Sequence, residues 1–241
     1  MQLGRHVYGL AAIGFGLAGL AFRDFNLWQK LPVHDPAFKE ILIEVISAVE
    51  IVGGLAVQWS RTMRVGAMML GTLFGIFALA KIPLIATQPL VYDNWGNFFE
   101  QASLVSGALI LVGQTRIGYY LFGICVVSFT LEQAFYLTGT AHFVPAWIPP
   151  GQMFWAVATT IAFALAAIAL LSGHFALLAV RLTTLMIAGF GVLVWLPTLW
   201  SSTFFAPAHS LTAWAGNAEN WAICGAAWIV ADSIAVGRAT R

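Results

Sequence analysis

Apolar runs recur along the whole chain, each bounded by a short polar turn or an aromatic, proline-containing loop. A spanning helix needs about 20 mostly apolar residues. Eight runs meet that length: 6–23, 40–58, 65–87, 96–113, 117–138, 152–172, 178–199 and 217–236. The predicted fold class is therefore an all-α integral membrane protein with eight transmembrane helices. Short turns carry Arg61 and Arg64, then Arg116, then Arg181. Longer connections carry Pro and aromatics: LPVHDP at 31–36, VPAWIPP at 144–150 and WLPTLWSSTFFAPAH at 195–209.

The pattern repeats after about half the chain. Arg5-His-Val-Tyr8 aligns with Arg116-Ile-Gly-Tyr119, and Gly53-Gly54-Leu55-Ala56 with Ala166-Ala167-Ile168-Ala169. Arg64 opens the third run as Arg181 opens the seventh. Lys81-Ile-Pro83 matches Trp195-Leu-Pro197, and Ser106-Gly107-Ala108 matches Cys224-Gly225-Ala226. Residues 1–115 and 116–241 thus read as two four-helix units. An even number of spans per unit gives both the same orientation, that is, parallel repeats about an axis along the membrane normal. Small residues at Gly14, Gly16, Gly53, Gly54, Ala166 and Ala167 are expected to let helices approach closely.

Composition agrees with a membrane class. The chain has 241 residues, 60% hydrophobic and 9% charged, against about 25% charged in soluble domains. Net charge is +1, so no basic field for nucleic acid exists. One set of turns and ends holds Arg5, Arg61, Arg64, Arg116, Arg181, Arg238 and Arg241; the other holds Arg23, Lys30 and Lys39. That bias places both termini in the cytoplasm and the Pro/Trp loops outside, in a bacterial inner membrane. Trp95, Trp147, Trp155, Trp200 and Trp214 would then form an interfacial belt. The basic, apolar start resembles a signal peptide, yet Arg5 and its helix recur later, so an uncleaved first span is expected. Cys125 and Cys224 lie singly in apolar runs and read as small buried residues.

Ionisable residues inside apolar runs change the picture most. Glu44, Glu50, Lys81, Glu100, Glu132 and Glu219 all interrupt predicted spans. Each such charge costs at least about 2.5–3.5 kcal/mol at the helix centre. By a rise of about 1.5 Å per residue, Lys81 and Glu132 lie about 25 Å from the cytoplasmic ends of their helices. Glu44, Glu100, Glu219 and Asp24 share that outer level, and Glu50 lies deeper. The predicted primary site is Glu50, Lys81, Glu100 and Glu44, with Lys81 paired to Glu100 or Glu44. Asp24, Glu132, Gln133 and Glu219 form a secondary polar layer. A buried carboxylate without a cation is held neutral by a proton, which makes Glu50 suited to proton exchange or to a hydrogen bond with a quinone carbonyl. The same layer also reads as ion pairs that lock helices together, a use that is often not net stabilising.

Other chemistries are poorly supported. His6, His34, His142, His174 and His209 fall near span ends or in loops, whereas a bis-His haem wants them inside facing spans. No metal-ligand spacing is present, and Gly-x-Gly occurs only within apolar runs, so neither a metal nor a dinucleotide site is expected.

FVPAWIPPGQMFWA (143–156), ALAAIALLSG (164–173), LVWLP (193–197) and GAAWIVADS (225–233) resemble DoxX-like membrane proteins. DFNLWQKLPVHDP (24–36), with the KIP and FFEQAS segments, resembles the companion unit of longer, two-unit members. The resemblance implies four-helix membrane units and a role as an accessory or quinone-contacting subunit of a membrane redox complex. It implies protein partners in the bilayer and no intrinsic cofactor, with a quinone as candidate ligand. Histidines expected from the family stand here as Gln133, Phe163 and Trp195. Glu50 is the repeat counterpart of Phe163, and Lys81 of Trp195, so polar chemistry is expected in the first unit. A small proton-coupled or solute transporter is the alternative, favoured by internal repeats and intramembrane carboxylates. Against it, no clearly broken helix is legible. A ligand-free scaffold subunit is the third reading.

Overall fold

The computed structural model describes residues 3–239, and Arg241, counted above toward the cytoplasmic bias, lies outside them. Among the described residues all regular structure is helical: α1 (Leu3–Phe22), α2 (Pro36–Gln58), α3 (Met63–Leu79), α4 (Ile82–Thr87), α5 (Tyr92–Leu111), α6 (Thr115–Phe135), α7 (Leu137–Phe143), α8 (Gln152–Ser172), α9 (Ala176–Phe190) and α10 (Leu211–Ala239). Every predicted span contains a helix. Six segments are long and apolar enough to cross a membrane: Leu3–Phe22, Met63–Thr87, Thr115–Phe135, Gln152–Ser172, Ala176–Leu199 and Leu211–Gly237. The chain is thus a multi-pass membrane protein by length and composition. The two remaining predicted spans are α2 and α5, and they are the helices richest in acidic and amide side chains.

Local chemistry sets the helix ends. Asp35 caps α2 by accepting from the Phe38 amide at 2.7 Å, and Pro36 fills the first turn, where its missing N–H costs nothing. The helix therefore begins four residues before the predicted boundary at 40. Gly173, at φ +78°, closes α8 in the left-handed conformation that glycine adopts without strain.

Two spanning segments are broken, contrary to the sequence reading. The third run stops at Ala80–Lys81 and restarts as α4. Pro83 has no N–H to donate there and its ring crowds the preceding turn. The seventh run passes from α9 into a π turn (Gly191–Trp195) and a 3-10 turn (Leu196–Leu199) that contains Pro197. The breaks fall at Lys81-Ile-Pro83 and Trp195-Leu-Pro197. In the sequence these prolines look like the beginnings of loops, which hides the breaks.

Neighbouring helices pair in a closed order. α1 lies on α2 and α10; α2 on α3; α3 on α5; α5 on α6 and α10; α6 on α8; α8 on α9; and α9 on α10. Exchanging α1, α2, α3, α5 with α6, α8, α9, α10 leaves these pairings unchanged. The first helix of each half packs on the last helix of the other, so both halves contribute to one core. Glycines allow the closest crossings. A Cβ on Gly54 would overlap the Gly9 carbonyl of α1, and one on Gly66 would overlap the Gly53 carbonyl. Gly53 and Gly54 thus serve two different neighbours, α3 and α1. Tyr8 is fully buried, donates to the Leu104 carbonyl at 3.0 Å and meets Phe74 edge-on. Cys125 and Cys224 are buried and unpaired.

Candidate functional site

The segment between α1 and α2 builds the site. Read from sequence as an external loop, it folds inward instead: Asn26, Trp28 and Gln29 are all buried. Asn26 Oδ1 accepts the backbone amides of Trp28 and Gln29, each at 3.0 Å, and its Nδ2 donates to Gln29 Oε1 at 2.6 Å. That small turn aims the remaining Gln29 donor at Glu50, with Nε2 2.7 Å from Oε1. Glu50 is 1% exposed, so the bond supplies a partner that a buried carboxyl requires. At the base of the segment, Lys39 and Asp24 form an ion pair at 2.5 Å. The Lys39 ammonium bonded to Asp24 holds its carboxyl below the usual carboxylate range.

Lys81 stands at the break between α3 and α4 and is 6% exposed. Its ammonium donates to the Leu27 carbonyl at 3.1 Å, which ties the inward loop to the break. The charges it faces are Glu100 of α5 and Glu219 of α10. Among the described residues the ion pair within 4.0 Å is Lys39–Asp24, so the expected direct pairing of Lys81 with Glu100 or Glu44 is not formed. The Leu27 carbonyl occupies the amine, because the loop reaches it first.

Glu219 is the most enclosed acid from the second half, at 3% exposure. Gln101 of α5, fully buried, donates Nε2 to both of its oxygens at 2.9 and 3.1 Å. The Gln101 Oε1 is buried without a partner. Glu100 is partly buried, with the Trp28 indole against its carboxyl. Trp28 also meets Trp195 edge-on at 5.8 Å, and Trp195 meets Phe205 at 5.2 Å. Gly216 makes room for the Trp195 ring, where a Cβ would overlap it. The Trp195 carbonyl, released by the π and 3-10 turns, accepts from Asn217 at 2.8 Å and from Thr198 at 2.6 Å.

The remaining predicted residues divide. Glu132 of α6 seats its carboxyl against Gly96 of α5, where any Cβ would overlap it. Gln133, its neighbour, turns to α8 and accepts from Thr159 and Thr160 at 3.3 and 3.1 Å. Glu44 does not join the cluster. It is exposed and lines a shallow cleft with Arg23 and Glu40. Helical phase explains this: Ile43, Ile46, Ser47, Glu50, Gly53 and Val57 form the buried stripe of α2, and Glu44 lies off it. Asp24 is likewise exposed and belongs to the Lys39 pair.

The structure therefore joins Glu50, Lys81, Glu100 and Glu219, leaves Glu132 beside them, and excludes Glu44, Asp24 and Gln133. The sequence reading missed Asn26, Trp28, Gln29 and Gln101. A cluster of one ammonium and several enclosed carboxylates needs protons or a cation for charge balance. Among the described residues no group of three or more His, Cys, Asp or Glu side chains could hold a metal ion. Proton exchange and hydrogen bonding are the chemistry these residues offer. Comparison of the chain with protein-family models, curated proteins and solved structures found no match.

Proposed function

We propose that this chain is a DoxX-like accessory subunit of a membrane redox complex, whose buried cluster exchanges protons beside a quinone ring. The observation that carries the reading is the convergence of Lys81, Glu100 and Glu219 with the Trp28–Trp195 pair at one helix break. A quinone takes up protons when it is reduced, and it offers a flat ring and two carbonyl acceptors. Trp28 and Trp195 supply aromatic faces, and the enclosed carboxyls supply protons. The electrons come from a redox partner, and this chain supplies no cofactor of its own.

The arrangement proposed is eight spans in two parallel-oriented four-helix units, 1–115 and 116–241, in a bacterial inner membrane with both termini cytoplasmic. The paired breaks at Lys81-Ile-Pro83 and Trp195-Leu-Pro197 support a duplication, as does the exchangeable order of helix contacts. The excess of arginine on the short turns supports the orientation. In the second unit Phe163 and Trp195 replace Glu50 and Lys81, so proton chemistry belongs to the first unit and to Glu219, which crosses over from the second.

A proton-coupled carrier is the second reading, and the two broken spanning segments favour it, since carriers build their sites at discontinuous helices. Mild solubilisation separates the two. Copurification with a quinone-reactive partner, and loss of quinone turnover in Glu50→Gln with normal assembly, are the expected results. A lone protein that moves protons across reconstituted vesicles, with flux lost in Glu50→Gln, would favour the carrier. Wild-type behaviour of Glu50→Gln in both assays would reject both.

A further inference from the structure

We infer that Glu132 is the port through which protons reach the buried cluster, passing from Glu132 to Glu100, then to Glu219 and Glu50. The inference rests on the proton-exchange reading above and adds the route.

The four carboxyls sit on four helices, α6, α5, α10 and α2, and form a continuous series. Glu132 is close enough to Glu100 for their charges to repel, Glu100 to Glu219, and Glu219 to Glu50. Exposure falls along the series. Glu132 and Glu100 are partly accessible, whereas Glu219 and Glu50 are enclosed. Trp28 shields Glu100, which leaves Glu132 as the outermost member.

Gly96 is the second observation. A side chain there would overlap both carboxyl oxygens of Glu132, so α5 is notched where the acid of α6 reaches toward Glu100. Asp93 and Tyr92, also on α5, are the other titratable groups facing Glu132. Tyr92 is held by its bond to Ser128 at 3.1 Å. On the α8 side the neighbouring Gln133 is occupied by Thr159 and Thr160, so Glu132 is the polar group that turns inward.

The third observation lies in the middle of the series. Gln101 is fully enclosed, its amide nitrogen spans both Glu219 oxygens, and its Oε1 has no partner. A buried acceptor of this kind is normally satisfied by a proton donor. A protonated carboxyl or a water placed beside it would complete the bond and bridge Glu100 to Glu219. Each step moves one proton from a carboxyl to a carboxylate and leaves the sum of charge unchanged. Lys81 keeps its proton and fixes one compensating positive charge beside Glu100 and Glu219.

The test is a pH jump on the full-length protein in lipid nanodiscs, followed by time-resolved infrared absorption of protonated carboxyls. Wild-type protein is compared with Glu132→Gln, Gly96→Ala, Glu219→Gln and Glu50→Gln, each checked for an unchanged melting temperature. Loss of a general acid–base group slows proton transfer by about 100-fold or more. Glu132→Gln is expected to slow the carboxyl response by that order while the Glu50 signal keeps its final amplitude. Gly96→Ala is expected to slow it as well, by displacing the Glu132 carboxyl. Glu50→Gln is expected to remove one component and leave the rate unchanged. If Glu132→Gln responds at the wild-type rate while Glu50→Gln and Glu219→Gln each remove a component, the port is elsewhere and the proton-exchange reading stands. If wild-type protein shows no carboxyl response at all, both fail together.

Discussion

Gln101 on α5 donates one amide nitrogen to both carboxyl oxygens of Glu219 on α10, at 2.9 and 3.1 Å, where both side chains are enclosed. This bond joins the last helix of one half to the last helix of the other. Gln101→Leu removes the donors and leaves a buried acid short of partners, a loss of about 1–3 kcal/mol. In a cycle with Glu219→Gln the two losses should not add, because the residues share one interaction. Unfolding in mixed detergent micelles measures both. Additive losses would show that the bond contributes nothing.

Lys81 is predicted to matter more than any other cation in the chain. Its ammonium faces Glu100 and Glu219 and is held by the Leu27 carbonyl. Lys81→Met strands two acids beside an unpaired carbonyl, so a loss of about 3–5 kcal/mol is expected. Lys81→Met with Glu100→Gln should recover part of it. Equal stability of the single and double variants would place Glu100 outside the influence of Lys81.

The positions of the buried acids were legible because a charge within an apolar run is expensive and conspicuous. Glu50, Lys81, Glu100 and Glu219 needed no further clue. Their amide partners were not legible. Asn26, Trp28 and Gln29 lie in DFNLWQKLPVHDP, whose polar and aromatic composition also suits an interfacial loop. Only the Asn26-centred turn, visible in three dimensions, shows that it folds inward. Gln101 was overlooked beside the more conspicuous Glu100. Glu44 was grouped by depth alone, although it is six residues from Glu50 and so on another face of α2. Helix order and helix positions followed from apolar length, while the breaks at Lys81 and Trp195 depended on how Pro83 and Pro197 sit relative to helix ends.

The inward loop gives a local prediction. Gln29→Ala removes the bond to Glu50 and half of the Asn26–Gln29 link. Amide hydrogen exchange should rise across residues 24–35 while α8 and α9 are unchanged, because only that segment loses its anchor. Uniform acceleration over the whole chain would instead mean that Gln29 supports global stability.

Acid should loosen the same segment at its base. The Lys39–Asp24 pair holds the Asp24 pKa below its unfolded value, so its contribution is present above the unfolded pKa, about 3.9, and is lost as pH falls through the folded value. The pair is solvent-exposed, so its worth is about 0–1 kcal/mol and falls with salt. Asp24→Asn should abolish the acid-dependent part of loop exchange. Retention of that dependence in the variant would assign it to another group.

The α1–α2 crossing is predicted to be intolerant of any side chain. A Cβ on Gly54 would overlap the Gly9 carbonyl, which is backbone and cannot swing aside. Gly54→Ala should cost about 1–3 kcal/mol, and Gly237→Ala, which meets nothing within 4 Å, should be neutral by the same unfolding assay.

Equilibrium infrared titration of the carboxyl groups in nanodiscs tests the central claim most directly, since proton exchange requires acids that hold protons near neutral pH. Wild-type protein should show protonated carboxyl absorption at neutral pH that disappears on alkalinisation. Glu50→Gln and Glu219→Gln should each remove a separate component, and Glu44→Gln, on the exposed face of α2, should remove none. A wild-type spectrum with no protonated carboxyl at neutral pH, or one unchanged by both Glu50→Gln and Glu219→Gln, would contradict the account.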